Sequence, residues 1–474
     1  MPVCELCSPA AGVNPNLIKM KLKLFYTCAL FLLCGSIVVQ AQQPASDPSK
    51  PYKYVIKGGH IIDPKNNIDE VMDIAITGGR TPAPARDAVP ARPASDGRTM
   101  RPAEPAQEAI TRIDGFIALV AKNIDPSLAV QVIDASGLYV TPGFIDIHTH
   151  NFWGTDIGGF NYRNGPYSIP PDGFTFPSGV TTVVDAGSSG WRNFETFKKQ
   201  TIDLSFTRVL ALLNINGEGM NGRSESNLDD MDALRTGEMG KKYPEHIVGV
   251  KNAHFVSGMA GIPNDFLLPV ERGIQAAEMM KGVFMLDGRL DAEIFKRFRP
   301  GDIYTHVYGR AIVDSAGNIK PFVLEARKKG IIFDVGFGGA SFGFNIATPA
   351  LKHGFFPNSI SSDQHRSSMN NAMKDMQNIM GLFMGMGMPF KEVIKASTWN
   401  PAQQIRRPDL GHLSVGAVAD IAIFGIREGK FGFWARDGYI DGTKRFDHEM
   451  TIRSGDIVYN LNGRVKPINL PPLR

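Results

Sequence analysis

From Tyr139 to Gln404 the chain alternates short apolar, β-branched runs with amphipathic helical stretches. This is how parallel βα units read in sequence. Parallel strands are covered on both faces, so they appear as continuous apolar runs, and each return to the sheet needs a crossover helix. The strand candidates are Phe144–Ile147, Thr181–Asp185, Arg208–Ile215, Ile247–Lys251, Ile303–Val307, Ile331–Val335 and Ser359–Ser362. Helical stretches include Pro269–Lys281, Ala292–Phe298 and Asn371–Met384. Seven strands are one short of a closed eight-stranded barrel, and the eighth is expected between Gly336 and Pro357. The methionines at 373, 376, 380 and 384 recur at helical spacing and read as a core stripe.

The flanks are β-like. Tyr54–Asp63 reads as strand, turn, strand; Val71–Thr77 and Gly115–Val120 follow, and Ala419–Phe424 and Asp456–Asn460 lie beyond the barrel. The expected fold is therefore α/β. A TIM-like (β/α)8 barrel occupies residues 141–404, and a small β-sandwich domain is built from both chain ends, residues 53–140 plus 405–470. Between Gly78 and Gln107 stand Pro82, Pro84, Pro90, Pro93, Pro102 and Pro105 among Ala, Arg and Asp. That composition supports no packed element, so a disordered insertion is expected over about 78–108.

All four cysteines, Cys4, Cys7, Cys28 and Cys34, lie near the N-terminus. Cys4-x-x-Cys7 lacks a second half and reads as no site. Lys19, Lys21 and Lys23, the apolar run Leu24–Val39 and the small-residue end Val39-Gln40-Ala41 read as a signal peptide over residues 1–41, with translation starting at Met20. The apolar run is too short for a stable membrane span. The protein is expected to be exported, periplasmic or secreted. A lipid anchor on Cys34 is the alternative, disfavoured by bulky Leu33. Beyond Ala41 there is no cysteine, which suits an oxidising compartment and removes thiolate ligands and nucleophiles. With 51 Lys+Arg against 47 Asp+Glu, a nucleic-acid partner is not expected. A small-molecule substrate and a homo-oligomer are.

The segment most telling for chemistry is Thr141-Pro142-Gly143-Phe144-Ile145-Asp146-Ile147-His148-Thr149-His150. Alternation along a strand puts His148 and His150 on one face. At the C-terminal end of a barrel strand both imidazoles would meet at the barrel mouth and could share one divalent metal ion. Two other motifs compete. Gly217-Glu218-Gly219-Met220-Asn221-Gly222 fits G-x-G-x-x-G, but Glu218 would face the phosphates and no close-packing helix follows. Gly339-Ala340-Ser341-Phe342-Gly343 fits G-x-S-x-G, but Ser341 sits in a glycine-rich loop rather than a tight strand–helix turn, and reads as pocket lining.

In order along the chain, GFIDIHTH, GVTTVVDAGSSG, VGVK, SSDQH, ASTWNPAQQI and GHLSVGAVADIAIF resemble the amidohydrolase superfamily of metal-dependent hydrolases, in its dihydroorotase-like and D-aminoacylase-like amidohydrolase/deacetylase branch. The resemblance spans about Tyr54 to Gly463. It implies further metal ligands: Lys251, carboxylated to a carbamate that bridges two ions; His306, matched to a fifth-strand histidine; and Asp363, which binds metal and serves as general base and acid. It implies a divalent ion, zinc, with one or two ions per chain. The segment Ile331–Phe337 is matched to one that usually ends in a histidine ligand, and Phe337 stands there instead. Either His254 supplies the missing imidazole or the second ion is loose or absent. Phe337 and His365 are expected to contact substrate, and Asp185 to support the site.

The activity so implied is hydrolysis of a non-peptide C–N bond (amide, N-acyl or cyclic amide) by metal-activated water. A single-metal deaminase or an ester or lactone hydrolase is the alternative within the superfamily. A non-catalytic ligand-binding barrel with a decayed metal site is the alternative outside it.

Overall fold

The computed structural model describes residues 49–78, 92–93, 100–101, 114–153, 167–220, 225–255 and 265–465. The signal-peptide segment lies outside the described residues, as does most of the Pro-rich stretch. Within that stretch the described residues hold one element that composition argued against: a two-residue ladder pairing Arg92 with Arg101 and Pro93 with Met100.

Seven parallel strands pair in chain order: Phe144–Thr149, Val180–Gly190, Arg208–Asn214, Ile247–Ala253, Val283–Asp287, Ile303–Tyr304 and Ile332–Phe333. The eighth stave is Ser359–Gln364. It bridges Asp334 on one side and Thr149 on the other, both in parallel sense. The N–H groups of Val335, Phe337 and Gly338 donate to the carbonyls of Ser359, Ser361 and Ser362, and the His150 N–H donates to the Gln364 carbonyl. The barrel is thereby closed.

The strand missing from the sequence reading is Val283–Asp287, not a segment between Gly336 and Pro357. It pairs from Gly249↔Val283 to Ala253↔Asp287. The 336–357 segment instead carries a loop and the helix Phe344–Lys352. A four-residue apolar run, Val283–Leu286, close behind the helix Leu268–Met279 cannot be told from more helix by periodicity.

Side-chain alternation builds two layers. In Arg208–Asn214, Val209, Ala211 and Leu213 join the large cluster under the helices, with Phe284, Phe295 and Phe298. Leu210 and Leu212 join a second cluster with Ile145, Ile147, Val184, Ala186, Met285 and Ile303. Met373, Met376 and Met380 are buried in the larger cluster, as their spacing implied. Asp232, Asp291 and Asp375 cap the helices Ala233–Lys242, Ala292–Arg297 and Met376–Gly385 by accepting backbone N–H groups.

Both chain ends share an eight-stranded sheet. Its order is Asp456–Asn460, Gly438–Arg453, Ile421–Ala435, Tyr139–Pro142, Tyr52–Asp63, Ile68–Ile76, Ile117–Ala121, with Ala129–Asp134 also pairing with Tyr52–Asp63. Tyr52–Asp63 is one continuous strand rather than strand, turn, strand. The register shift between Ile56 and Gly59 absorbs the expected turn, with Gly58 at φ 68°. Its core is Ile56, Ile61, Ile74, Val140, Ile421, Ile423, Met450 and Ile452.

The hairpin Ile421–Ala435/Gly438–Arg453 extends well past the Ala419–Phe424 run seen in sequence. Its turn touches the barrel. The Asp437 carboxylate accepts the N–H groups of Phe344 (2.8 Å) and Asn345 (2.9 Å), capping the helix Phe344–Lys352, and Arg436 Nη1 donates to the Ala340 carbonyl at 3.2 Å.

Candidate active site

The C-terminal ends of the barrel strands surround a pocket of about 560 Å³, where barrel enzymes carry their chemistry. His148, His150, Lys251, His254, His306, Asp363 and His365 all line it, with Asp287, Arg310, Glu225, Tyr167 and Ser341. Seven of the eight site residues expected from sequence therefore meet in one place.

Phe337 is the correction. Its side chain is 1% exposed and stacks on Phe342, with ring centroids 4.9 Å apart, inside the core rather than on the pocket wall. With Val283–Asp287 restored, Ile332–Phe333 is the seventh strand, and His306 follows the sixth strand rather than the fifth. The fifth strand ends in Asp287, a buried pocket carboxylate that sequence reasoning missed. The signal was present in Val283-Phe284-Met285-Leu286-Asp287, an apolar run ending in a carboxylate.

His148, His306 and Asp363 are buried, and one donor atom of each lies within 4.8 Å of the others. Around them the Lys251 Nζ stands 3.1 Å from His148 Nε2, and His150 Nε2 stands 3.2 Å from Asp363 Oδ1. Each histidine is held by its other ring nitrogen. His148 Nδ1 meets the Thr305 hydroxyl at 2.9 Å, and that hydroxyl donates to Asp334 at 2.7 Å. Ser359 and Ser361 also donate to Asp334. His306 Nδ1 donates to the Gly336 carbonyl at 2.6 Å, and His150 Nδ1 meets Ser188 Oγ at 3.0 Å. Asp185 accepts the N–H groups of Asn151 and Ser188, the supporting part expected of it. Orientation through the outer nitrogen, with Nε2 facing a common centre, is the arrangement that metal-binding histidines require. The donor set thus fits a divalent cation.

The backbone is strained here. Eight described non-glycine residues have positive φ, and three are pocket residues: His254 at 56°, His306 at 57° and Asp363 at 51°. Gly336, at φ 46°, has to be glycine. A Cβ there would lie 2.4 Å from Thr305 Oγ1, 2.7 Å from His306 Nδ1 and 3.0 Å from His148 Nδ1. Gly187 likewise leaves room for the Lys251 stem, whose Cγ would be 2.9 Å from an added Cβ.

Electrostatics divide the cluster. Burial, reinforced by Lys251, holds the His148 imidazolium pKa well below its ordinary value, so the ring is neutral and able to ligate. Burial also lowers Lys251, against the pull of the surrounding carboxylates. Burial pushes Asp363 up, but His148, His150 and His365 outweigh it and keep the carboxyl well below the usual range. Asp287 behaves alike, burial being overcome by His306 and His254. His254 does not join the three-donor cluster. It bonds Glu225 at 2.7 Å and Asp287 at 3.2 Å, which raise its pKa to about 10.

Residues 341–458 match the amidohydrolase family. The chain is 34% identical to a deacetylase of Brucella anthropi over 327 residues, 66% of this chain and 77% of that protein. Among solved structures it is similar to an adenine deaminase (TM-score 0.69, 27% identity, 86% of this chain and 100% of that one). It is also similar to a dihydroorotase (TM-score 0.67, 27% identity, 86% and 97%). Among the described residues no helix is long and apolar enough to cross a membrane.

Proposed function

This chain belongs to the amidohydrolase family and is a hydrolase of non-peptide carbon–nitrogen bonds, and from that premise we propose that it cleaves an amide, N-acyl or cyclic amide substrate at a divalent-metal centre with Asp363 as general base and acid. The observation that carries the reading is the convergence of His148, His306 and Asp363 donors beside His150 and Lys251. His148, His150, His306 and Asp363 would hold the cation, and an imidazole-rich set suits zinc. Such a cation supplies Lewis acidity, acidifying water and polarising the scissile carbonyl.

The protein's own groups do the rest. Asp363 is kept ionised by its histidine neighbours and positioned to take a proton from the attacking water and return it to the leaving nitrogen. The Gly336 carbonyl and the Thr305–Asp334 pair fix the ring tautomers of His306 and His148. Lys251, favoured as a neutral amine by burial, adds carbon dioxide and releases a proton, giving a carbamate with two oxygens for two cations. Asp287, 3.2 Å from His306 Nε2, is a further buried carboxylate of the same pocket. A one-ion site is the second reading, favoured by the three-donor cluster. Export rests on the Lys19–Ala41 signal pattern.

The test is metal analysis of protein purified without chelator, together with a screen of N-acyl amino acids of both hands, dihydroorotate, hydantoins and acyl esters. Two ions per chain with amide hydrolysis is the expected result. One ion supports the second reading, and none with no turnover defeats both. His148→Ala and His150→Ala should lose metal and activity together. Lys251→Ala should lose most activity, with partial recovery in short carboxylic acids that fill the carbamate's place.

A further inference from the structure

A second cavity, of about 190 Å³, lies at the opposite end of the barrel from the metal donors. Its walls come from three parts of the chain. Arg208 opens the strand Arg208–Asn214, and Glu245 and His246 stand just before Ile247–Ala253. Arg407 follows the helix Trp399–Gln404, and Arg453 closes the strand Gly438–Arg453 of the terminal sheet. Three guanidinium groups and an imidazole therefore meet where the third and fourth barrel strands begin. None of them takes part in the chemistry proposed for the pocket at the other end.

The counter-charges stand behind this cavity, not in it. Asp420 Oδ2 accepts from Arg208 Nη1, while Oδ1 accepts the Ser454 N–H and lies 3.5 Å from Arg453 Nη1. Asp409 takes Arg407 in a bidentate pair at 2.8 and 2.7 Å. Neither aspartate lines the cavity. Among the described residues Glu245 is the one carboxylate that does, and 60% of its side chain is exposed.

These pairs leave donors over. A guanidinium has five N–H groups. Arg208 directs Nη1 at Asp420 and at the Thr182 hydroxyl, 2.9 Å away, and its Nε and Nη2 make no hydrogen bond among the described residues. Arg407 gives Nε and Nη2 to Asp409, and its Nη1 makes no hydrogen bond among those residues. Arg453 and Arg208 are almost out of water, with 4% and 12% of their side chains exposed, so salt screens their charge little. Guanidinium groups arriving from three directions suit a tetrahedral oxyanion, which offers acceptors on several sides. A planar carboxylate offers two in one plane.

We propose that this cavity is a binding site for a phosphate-type oxyanion, held by Arg208, Arg407 and Arg453, which ties the N-terminal end of the barrel to the terminal sheet. The site is independent of the hydrolase reading. A bound anion gives two barrel segments and one sheet strand a common partner, and stabilises the folded chain by mass action.

The experiment is calorimetric titration with inorganic phosphate at constant ionic strength. It uses metal-loaded wild type, Arg407→Gln, Glu245→Gln and His148→Ala, the last lacking a donor of the metal centre. Wild type should show a saturable site that persists in His148→Ala, with sulfate competing and chloride not. Arg407→Gln should weaken it about 10- to 100-fold, the range of one charge-assisted hydrogen bond. Glu245→Gln removes the carboxylate from the wall and should tighten binding by up to about fivefold. Added phosphate should raise the urea midpoint of wild type and leave that of Arg407→Gln where it is. Methyl phosphate separates two sources of the oxyanion. Affinity within about threefold of inorganic phosphate assigns the site to phosphomonoesters, and a loss of roughly tenfold or more assigns it to the free ion. No saturable uptake up to about 10 mM phosphate overturns the proposal. So does uptake that survives Arg407→Gln unchanged and vanishes in His148→Ala, which puts the ion at the metal. Weaker binding in Glu245→Gln than in wild type overturns it as well, because the arginines would then be a structural ion-pair network.

Discussion

Replacing Thr305 with valine separates the metal site from the fold. The Thr305 hydroxyl has one hydrogen and spends it on Asp334, so it can only accept from His148 Nδ1–H. Valine keeps the shape and removes that acceptor. Without metal, the imidazole escapes by moving its proton to Nε2, which faces the Asp363 carboxylate at 3.5 Å. Stability should therefore fall only modestly, by about 1 kcal/mol for the lost hydroxyl bond to Asp334, which keeps its two serine donors.

With metal there is no escape: Nε2 has to be bare, and a buried Nδ1–H then lacks a partner. That costs about 1–3 kcal/mol, or roughly 10- to 100-fold in metal affinity. Competition against a chromophoric chelator measures the affinity, and urea denaturation of metal-free protein measures the stability. Thr305→Ser, which keeps the hydroxyl, should bind metal nearly as well as wild type. Metal affinity of Thr305→Val within threefold of wild type, or Thr305→Ser as weak as Thr305→Val, would refute the tautomer argument.

Two further outcomes are expected. Gly336→Ala forces a methyl against Thr305, His306 and His148 at a left-handed φ, and should lower stability by about 1–3 kcal/mol while abolishing metal retention, read by denaturation and metal analysis. His448 is buried on the hairpin, its Nε2–H donating to Thr451 and its Nδ1 accepting from Gln377, and burial depresses its pKa to about 3. The unfolded chain takes up that proton first as pH falls below about 6.5, so this group should cost up to about 1.4 kcal/mol of stability per pH unit between about 6.5 and 3. His448→Gln should flatten the acid limb of the stability–pH curve, and parallel limbs in the two proteins would remove the assignment.

The sequence made the barrel legible because buried parallel strands leave continuous apolar runs, and it made the histidines legible because His148 and His150 sit at a strand end. It hid the fifth strand, since Val283–Leu286 follows closely on a helix and four apolar residues carry no period of their own. That one omission shifted the strand count, gave His306 the wrong strand, placed a gap at Phe337 and left Asp287 unseen. The supporting groups were equally hidden. Thr305, Asp334, Ser359 and Ser361 are ordinary residues in sequence, and only barrel closure brings the last two to Asp334. The left-handed turns at His306 and Asp363 have no glycine to announce them. Tertiary context imposes them, and no local propensity predicts them.

The turn at Arg436 and Asp437 has a consequence for how this molecule can be cut and joined. It holds the first residues of a helix and the Ala340 carbonyl, in the same loop whose Gly339, Ala340 and Ser341 form part of the pocket wall. One boundary of the substrate's enclosure is therefore pinned by residues almost a hundred positions downstream, contributed by the terminal sheet. A barrel excised at Gln404 would keep every proposed metal donor and lose the clasp on that wall. Insertions or fusions at the hairpin turn, an exposed and inviting place for them, would alter which substrates are accepted before they altered whether the chain folds.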